Sequence, residues 1–151
     1  MGRKGRQMKK EIVAPPKLGR ILETVLYCHY ETREAMNKFY DEVLGLRENR
    51  ISSGGYRLGS GVLLLFNADK CESQSSPPPH GTSGRGHVCF VAPDGAYEAW
   101  QNWIRQAGIG IIEEIEWKPP LCGRSFYFHD PAGNVLEIAD KDIWPKSIVA
   151  G

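Results

Sequence analysis

The chain has 151 residues, 41% of them hydrophobic and 25% charged, which is the make-up of one globular domain with a sizeable core and rules out a long multidomain enzyme. Its 19 Lys and Arg against 18 Asp and Glu give a formal net charge of +1, so no global field draws nucleic acid, anionic lipid or a cationic substrate. Five of the basic residues, Arg3, Lys4, Arg6, Lys9 and Lys10, fall in the first ten positions. Residues 1–20 are therefore read as a basic, disordered arm outside the fold.

The longest apolar run, residues 62–66, is far short of the roughly 20 residues that cross a bilayer, and no signal-peptide core follows the basic head. A soluble, cytoplasmic protein with neither membrane nor nucleic-acid partner is expected. The four cysteines, Cys28, Cys71, Cys89 and Cys122, form no Cys-x-x-Cys pair, so reduced thiols are expected. Cys28 and Cys89 sit in strand-like runs and read as buried and inert.

The first ordered element is the β-branched and aromatic stretch 21–28, a strand. Ala35, Met36, Phe39, Tyr40, Val43 and Leu44 then recur on one helical face, and Gly45 follows where a left-handed cap belongs. Short runs at 47–52, 55–59 and 62–67, parted by Ser-Gly-Gly and Gly-Ser-Gly, read as a three-stranded meander. Residues 69–86, rich in Ser, Pro and Gly, read as a surface linker.

The pattern then restarts. A strand at 87–92 leads to a helix capped by Asp94, with Tyr97, Ala99, Trp100, Trp103, Ile104 and Ala107 as its buried face. Strands follow at 111–117, 125–129 and 135–139, the last two joined by the turn Asp130-Pro131-Ala132-Gly133-Asn134. A shift of 64 residues carries Glu34, Ala35 and Phe39 onto Glu98, Ala99 and Trp103, and Glu23 onto His87. A shift of 72 carries Gly61 onto Gly133, Leu64 onto Leu136 and Leu65 onto Glu137. Two βαβββ modules, 21–69 and 87–140, joined by a linker at 70–86 and followed by a tail at 141–151, imply an α+β fold whose open sheets surround a shared cleft.

Glu23, His87 and Glu137 place metal-competent side chains where strands otherwise carry apolar residues. A half-buried carboxylate is costly without a partner, and a divalent metal supplies one. One imidazole with two carboxylates suits Zn, Mn, Co or Ni and leaves coordination positions open for substrate.

The chain resembles the vicinal oxygen chelate superfamily over nearly all of residues 21–140. This is the group that contains glyoxalase I, bleomycin-resistance proteins, fosfomycin-resistance thiol transferases and extradiol dioxygenases. The resemblance is carried by Phe39-Tyr40 with Val43-Leu44-Gly45-Leu46, by Gly86-His87-Val88, and by the run from Gly123 to Glu137. The resemblance implies ligand positions at Glu23, Leu65, His87 and Glu137. Leu65 cannot ligate, so the implied metal set is Glu23, His87 and Glu137, and one His with two carboxylates departs from the two-His, one-carboxylate iron set of the dioxygenases.

The implied chemistry is that of a metal-dependent lyase, isomerase or thiol transferase, in which neighbouring oxygens of a small-molecule substrate chelate the ion. Glu23 is the candidate general base, Tyr127 a candidate donor to the bound oxygen, and glutathione or another thiol a possible co-substrate. Family resemblance also implies a homodimer, with a site formed by one chain or by two. The alternative function is a metal-free protein that binds or sequesters a small molecule in the same cleft. Trp117, Trp144 and Tyr56 are candidates for a substrate wall or a subunit interface.

Overall fold

The computed structural model describes residue 15 and residues 17–149. The basic cluster at residues 3–10 lies outside the described residues. The first module runs β1 (Glu23–Cys28), α1 (Arg33–Lys38) with a wider π turn over Phe39–Val43, β2 (Arg50–Ser52), β3 (Gly55–Leu58) and β4 (Gly61–Asn67). After α2 (Ala68–Ser73) the second module runs β5 (His87–Ala92), α3 (Tyr97–Gln106), β6 (Glu113–Glu116), β7 (Arg124–His129) and β8 (Val135–Asp140), and α4 (Lys146–Val149) follows. Each module forms one four-stranded sheet, ordered β1-β4-β3-β2 in sheet A and β5-β8-β7-β6 in sheet B. In each, the first strand lies parallel to the last while the other pairs are antiparallel. The expected α+β fold of two open βαβββ sheets is what the chain adopts.

One core joins both modules. Met36, Tyr40, Tyr56, Ile104, Phe126, Phe128 and Leu136 are fully buried within it, and each such side chain contributes roughly 1.5–3 kcal/mol on leaving water. Both main helices end on glycines in the left-handed region, Gly45 at φ 68° and Gly108 at φ 77°, where a side chain would be strained. Between the modules, the Tyr40 hydroxyl donates to Asp130 Oδ2 at 3.0 Å and Asn134 Nδ2 donates to the Tyr27 carbonyl at 3.3 Å.

Several local expectations give way. The stretch read as linker begins with helix α2, because Asn67 Oδ1 accepts from the Lys70 amide at 2.8 Å and Ala68 and Cys71 turn inward. Asp94 does not cap α3; the cap position is Ala96, and Asp94 instead accepts from Lys141 Nζ at 2.7 Å. Trp103, read as core, is 47% exposed, since its indole must reach the Val43 carbonyl at the rim between the helices. Tyr56, read as a wall or interface residue, is instead completely buried, with its hydroxyl donating to Asp41 Oδ1 at 3.1 Å. Among the described residues no helix is long and apolar enough to cross a membrane.

Candidate metal centre

Strand alternation gives each sheet a helix-covered face and an open face. On β5, Val88, Phe90 and Ala92 pack inward while His87, Cys89 and Val91 are exposed. Lateral pairing sets Cys89 beside Glu137 and Glu137 beside Tyr127, so these three form one row across the open face of sheet B. His87 stands two residues before Cys89 on the same face, its ring stacked on Tyr127 at 6.2 Å between centroids.

The His87 imidazole is oriented at both nitrogens. Nδ1 lies 2.9 Å from the Val135 carbonyl oxygen, which can only accept, so Nδ1 carries a hydrogen, and in the neutral ring Nε2 is then the nitrogen with the free lone pair. Nε2 in turn lies 3.3 Å from Glu137 Oε2. In the neutral ring a lone pair faces the carboxylate at that separation, an arrangement that either a proton on Nε2 or a metal ion held by both groups relieves. Metal–ligand distances of about 2.0–2.1 Å, opened to the tetrahedral angle, separate two donor atoms by about 3.3 Å. The pair therefore fits a divalent ion, and the Val135 carbonyl is the outer-shell partner that ligating imidazoles usually have.

Glu137 is only 6% exposed, and among the described residues the one cationic side chain beside its carboxylate is His87 when protonated. Its neighbours register the charge. Burial first and Glu137 second push the Cys89 thiol up to about 12, and burial, with Glu137 adding to it against the opposing effect of Ser125, raises the Tyr127 phenol. Both groups are thus neutral donors at physiological pH. Cys89 is exposed on the sheet, contrary to the expectation of burial, because the strand's alternation puts it with His87 on the open side; Cys28 is buried as expected.

Glu23 lies on the open face of sheet A, at the start of β1 opposite Val62, and is exposed. Among the described residues no three His, Cys, Asp or Glu side chains are grouped to hold an ion. One chain thus brings His87 and Glu137 together, with Tyr127 beside them, and leaves Glu23 apart. The position implied for a fourth ligand also moves. Val25 pairs with Leu64 as Cys89 pairs with Glu137, so Leu64, not Leu65, is the counterpart of Glu137. The reason is that the hairpin from Tyr127 to its partner Glu137 is one residue longer than that from Gly55 to its partner Leu64, which the Gly61 to Gly133 anchor hides.

With the fold and the His–Glu pair in place, comparison with known proteins decides the family. The model described as Glyoxalase/Bleomycin resistance protein/Dioxygenase superfamily matches residues 32–138, which take in most of both modules after β1 and contain His87, Tyr127 and Glu137. The chain belongs to this superfamily. Within the superfamily it is 30% identical over 104 residues to the metallothiol transferase FosB of Staphylococcus haemolyticus, covering 67% of this chain and 70% of that protein. It is 31% identical over 102 residues to the glutathione transferase FosA of Serratia marcescens, covering 66% and 67%. Among solved structures, lactoylglutathione lyase from Agrobacterium tumefaciens superposes with a TM-score of 0.73 at 30% identity, over 87% of this chain and 98% of that one.

Proposed function

We propose that this superfamily member is a divalent-metal-dependent enzyme, a thiol transferase or lyase, that acts on a small molecule with neighbouring oxygen atoms. The observation that carries the reading is His87 Nε2 held 3.3 Å from Glu137 Oε2 on an open sheet face, with Nδ1 turned to the Val135 carbonyl. Similarity to a metallothiol transferase, a glutathione transferase and a lactoylglutathione lyase supports a thiol as co-substrate. Zn, Mn, Co and Ni all suit the donor set.

His87 and Glu137 would hold the ion, and the third donor would be Glu23 of a second copy, since one chain leaves Glu23 apart from the pair. A homodimer that lays sheet A of one copy over sheet B of the other meets that need. When bound, the metal supplies Lewis-acid polarisation of substrate oxygens. The chain's own residues do the rest. The Val135 carbonyl keeps the imidazole in the ligating tautomer, and the Tyr127 hydroxyl, kept protonated, donates to a substrate oxygen as negative charge develops there. Glu23, on dissociating from the ion, would take a proton as general base.

The test is calorimetric titration of Zn, Mn, Co and Ni into metal-stripped protein, beside His87→Ala, Glu137→Ala and Glu23→Ala variants, followed by thiol-transfer and lyase assays on the loaded wild type. Saturable binding at one ion per chain, lost in all three variants, is expected. A wild type that binds no metal overturns this reading in favour of a metal-free binding protein. A cavity of about 480 Å³, lined by Leu44, Leu46, Leu58, Phe90, Val91 and Trp100 among others, is the feature that favours that second reading.

A further inference from the structure

We propose that Asn134 is a positioning residue that sets the orientation of the His87 imidazole, acting through the backbone of Gly86. The inference rests on His87 being the donor nitrogen of the reading above, and it assigns the residue that prepares that nitrogen.

His87 opens β5, and of the two backbone groups of Gly86 before it only the carbonyl is met by a backbone partner on β8. Asn134 supplies the missing rung from a side chain. Its Oδ1 accepts from the Gly86 amide at 2.8 Å, and the next residue, Val135, returns its own amide to the Gly86 carbonyl at 2.9 Å. The Val135 carbonyl is the group that then receives His87 Nδ1. Gly86 is therefore clasped from both sides by consecutive residues, and the imidazole is read off the second of them. A Cβ at position 86 would stand 2.9 Å from Leu26 Cδ2 and 3.0 Å from Asn134 Oδ1, so a side chain there would have to displace both.

Asn134 is itself immobilised. It is 2% exposed, its Nδ2 donates to Asp130 Oδ2 at 2.8 Å and to the Tyr27 carbonyl at 3.3 Å, and its amide donates to Asp130 Oδ1 at 3.0 Å. Asp130 is completed by the Ala132 amide at 2.9 Å and by the Tyr40 hydroxyl at 3.0 Å. Tyr27 and Tyr40 belong to the first module, so the clasp ties the imidazole's orientation to the docking of one module on the other. A satisfied buried network of this kind rigidifies what it touches.

The experiment reads the imidazole in ¹⁵N-labelled, metal-free full-length protein at about pH 9, above the ordinary imidazole range, so that the neutral tautomer is observed. Wild type is expected in the Nδ1–H form. Asn134→Ala removes the rung, and the ratio of Nδ1–H to Nε2–H should fall roughly three- to tenfold, the equivalent of one net hydrogen bond. Asn134→Asp keeps an oxygen opposite the Gly86 amide but sets a second carboxylate against Asp130. It should melt at lower temperature than wild type and yet keep the wild-type tautomer.

An unchanged tautomer in Asn134→Ala overturns the proposal. So does loss of the tautomer in both variants in step with their melting temperatures, which is what a purely structural role would give. If Asn134→Ala does not fold, Tyr40→Phe frees the Asp130 end without opening a cavity; a smaller shift in the same direction is expected, and no shift overturns the proposal. Because no metal is present, the result stands apart from whether the wild type binds one.

Discussion

At equivalent positions on their open faces, sheet A carries Glu23, Val25, Leu64 and Gly55 where sheet B carries His87, Cys89, Glu137 and Tyr127. The pairing of first strand on last is the same in both, with β1 on β4 matching β5 on β8 rung for rung. The buried faces also correspond, Tyr56 and Leu63 of sheet A standing where sheet B has Phe128 and Leu136. Among these paired positions the chemical difference lies on the side facing out, while the hairpins and the β2–β3 pairing, which is irregular where β6–β7 is regular, differ in the backbone. A repeated module needs the same apolar face in each copy to bury its sheet, whereas the open face is free to diverge, and here donor atoms have gathered on one copy.

The largest expected effect tests the register of that comparison. Leu65 is 1% exposed beneath β4, whereas Leu64 is half-buried on the open side. Leu65→Glu should cost about 3–5 kcal/mol or prevent folding, because the carboxylate enters the core without a partner. Leu64→Glu, at the true counterpart of Glu137, should cost less than half as much. Urea denaturation of the two variants decides it, and equal losses would break the one-residue correction.

This slip shows where the sequence was legible. Strand, helix and hairpin positions follow from periodicity and turn residues because one face of each element is wet. In Val62-Leu63-Leu64-Leu65-Phe66 every residue is apolar, so alternation carries no signal and the register had to come from pairing. His87 and Glu137 were readable as a pair from their motif, and the structure sets them 3.3 Å apart. Glu23 was readable as a candidate, but its place relative to the pair depends on how sheets meet, which strand patterns do not encode. Asn134 was visible only as a turn residue, since its second use, as a rung for Gly86, needs coordinates in two strands.

The donor atoms set the next prediction. Glu137→Gln should lower metal affinity by at least about 100-fold, since an amide neither carries the charge nor binds hard cations comparably. Leu64→Ala, at the counterpart position, should leave the ion bound if Leu64 is only a wall. Calorimetry on both variants separates a site built on sheet B from one spread evenly over the two sheets.

A smaller effect distinguishes the phenols. Tyr56 donates to buried Asp41, whose other partner is Arg50, so Tyr56→Phe should cost about 1 kcal/mol in stability and leave turnover unchanged. Tyr127→Phe should do the reverse, shifting stability by less than half as much while slowing the proposed transferase or lyase reaction roughly tenfold or more. Paired melting and initial-rate measurements check this, and a Tyr127→Phe enzyme at full rate would return that side chain to packing alone.

The smallest effect concerns the position after each first strand, where the first module has His29 and the second has Pro93. His29 Nδ1 lies 3.0 Å from both Asp69 oxygens, and that hydrogen bond, with the Asp69 charge behind it, raises the imidazole above its ordinary value of 6.5. A folded-state value above the unfolded one means that folding takes up a proton near neutrality. The stabilisation is thus fully present below pH 6.5 and fades as pH rises through the raised folded-state value. Asp69→Asn should lower the melting temperature slightly at about pH 5.5 and not at about pH 8.5, where the imidazole is neutral in both states. With the pair this exposed, added salt should erase even the acid-side difference. A difference that persists at high pH would assign Asp69's contribution to helix α2, whose first turn it occupies, and not to His29.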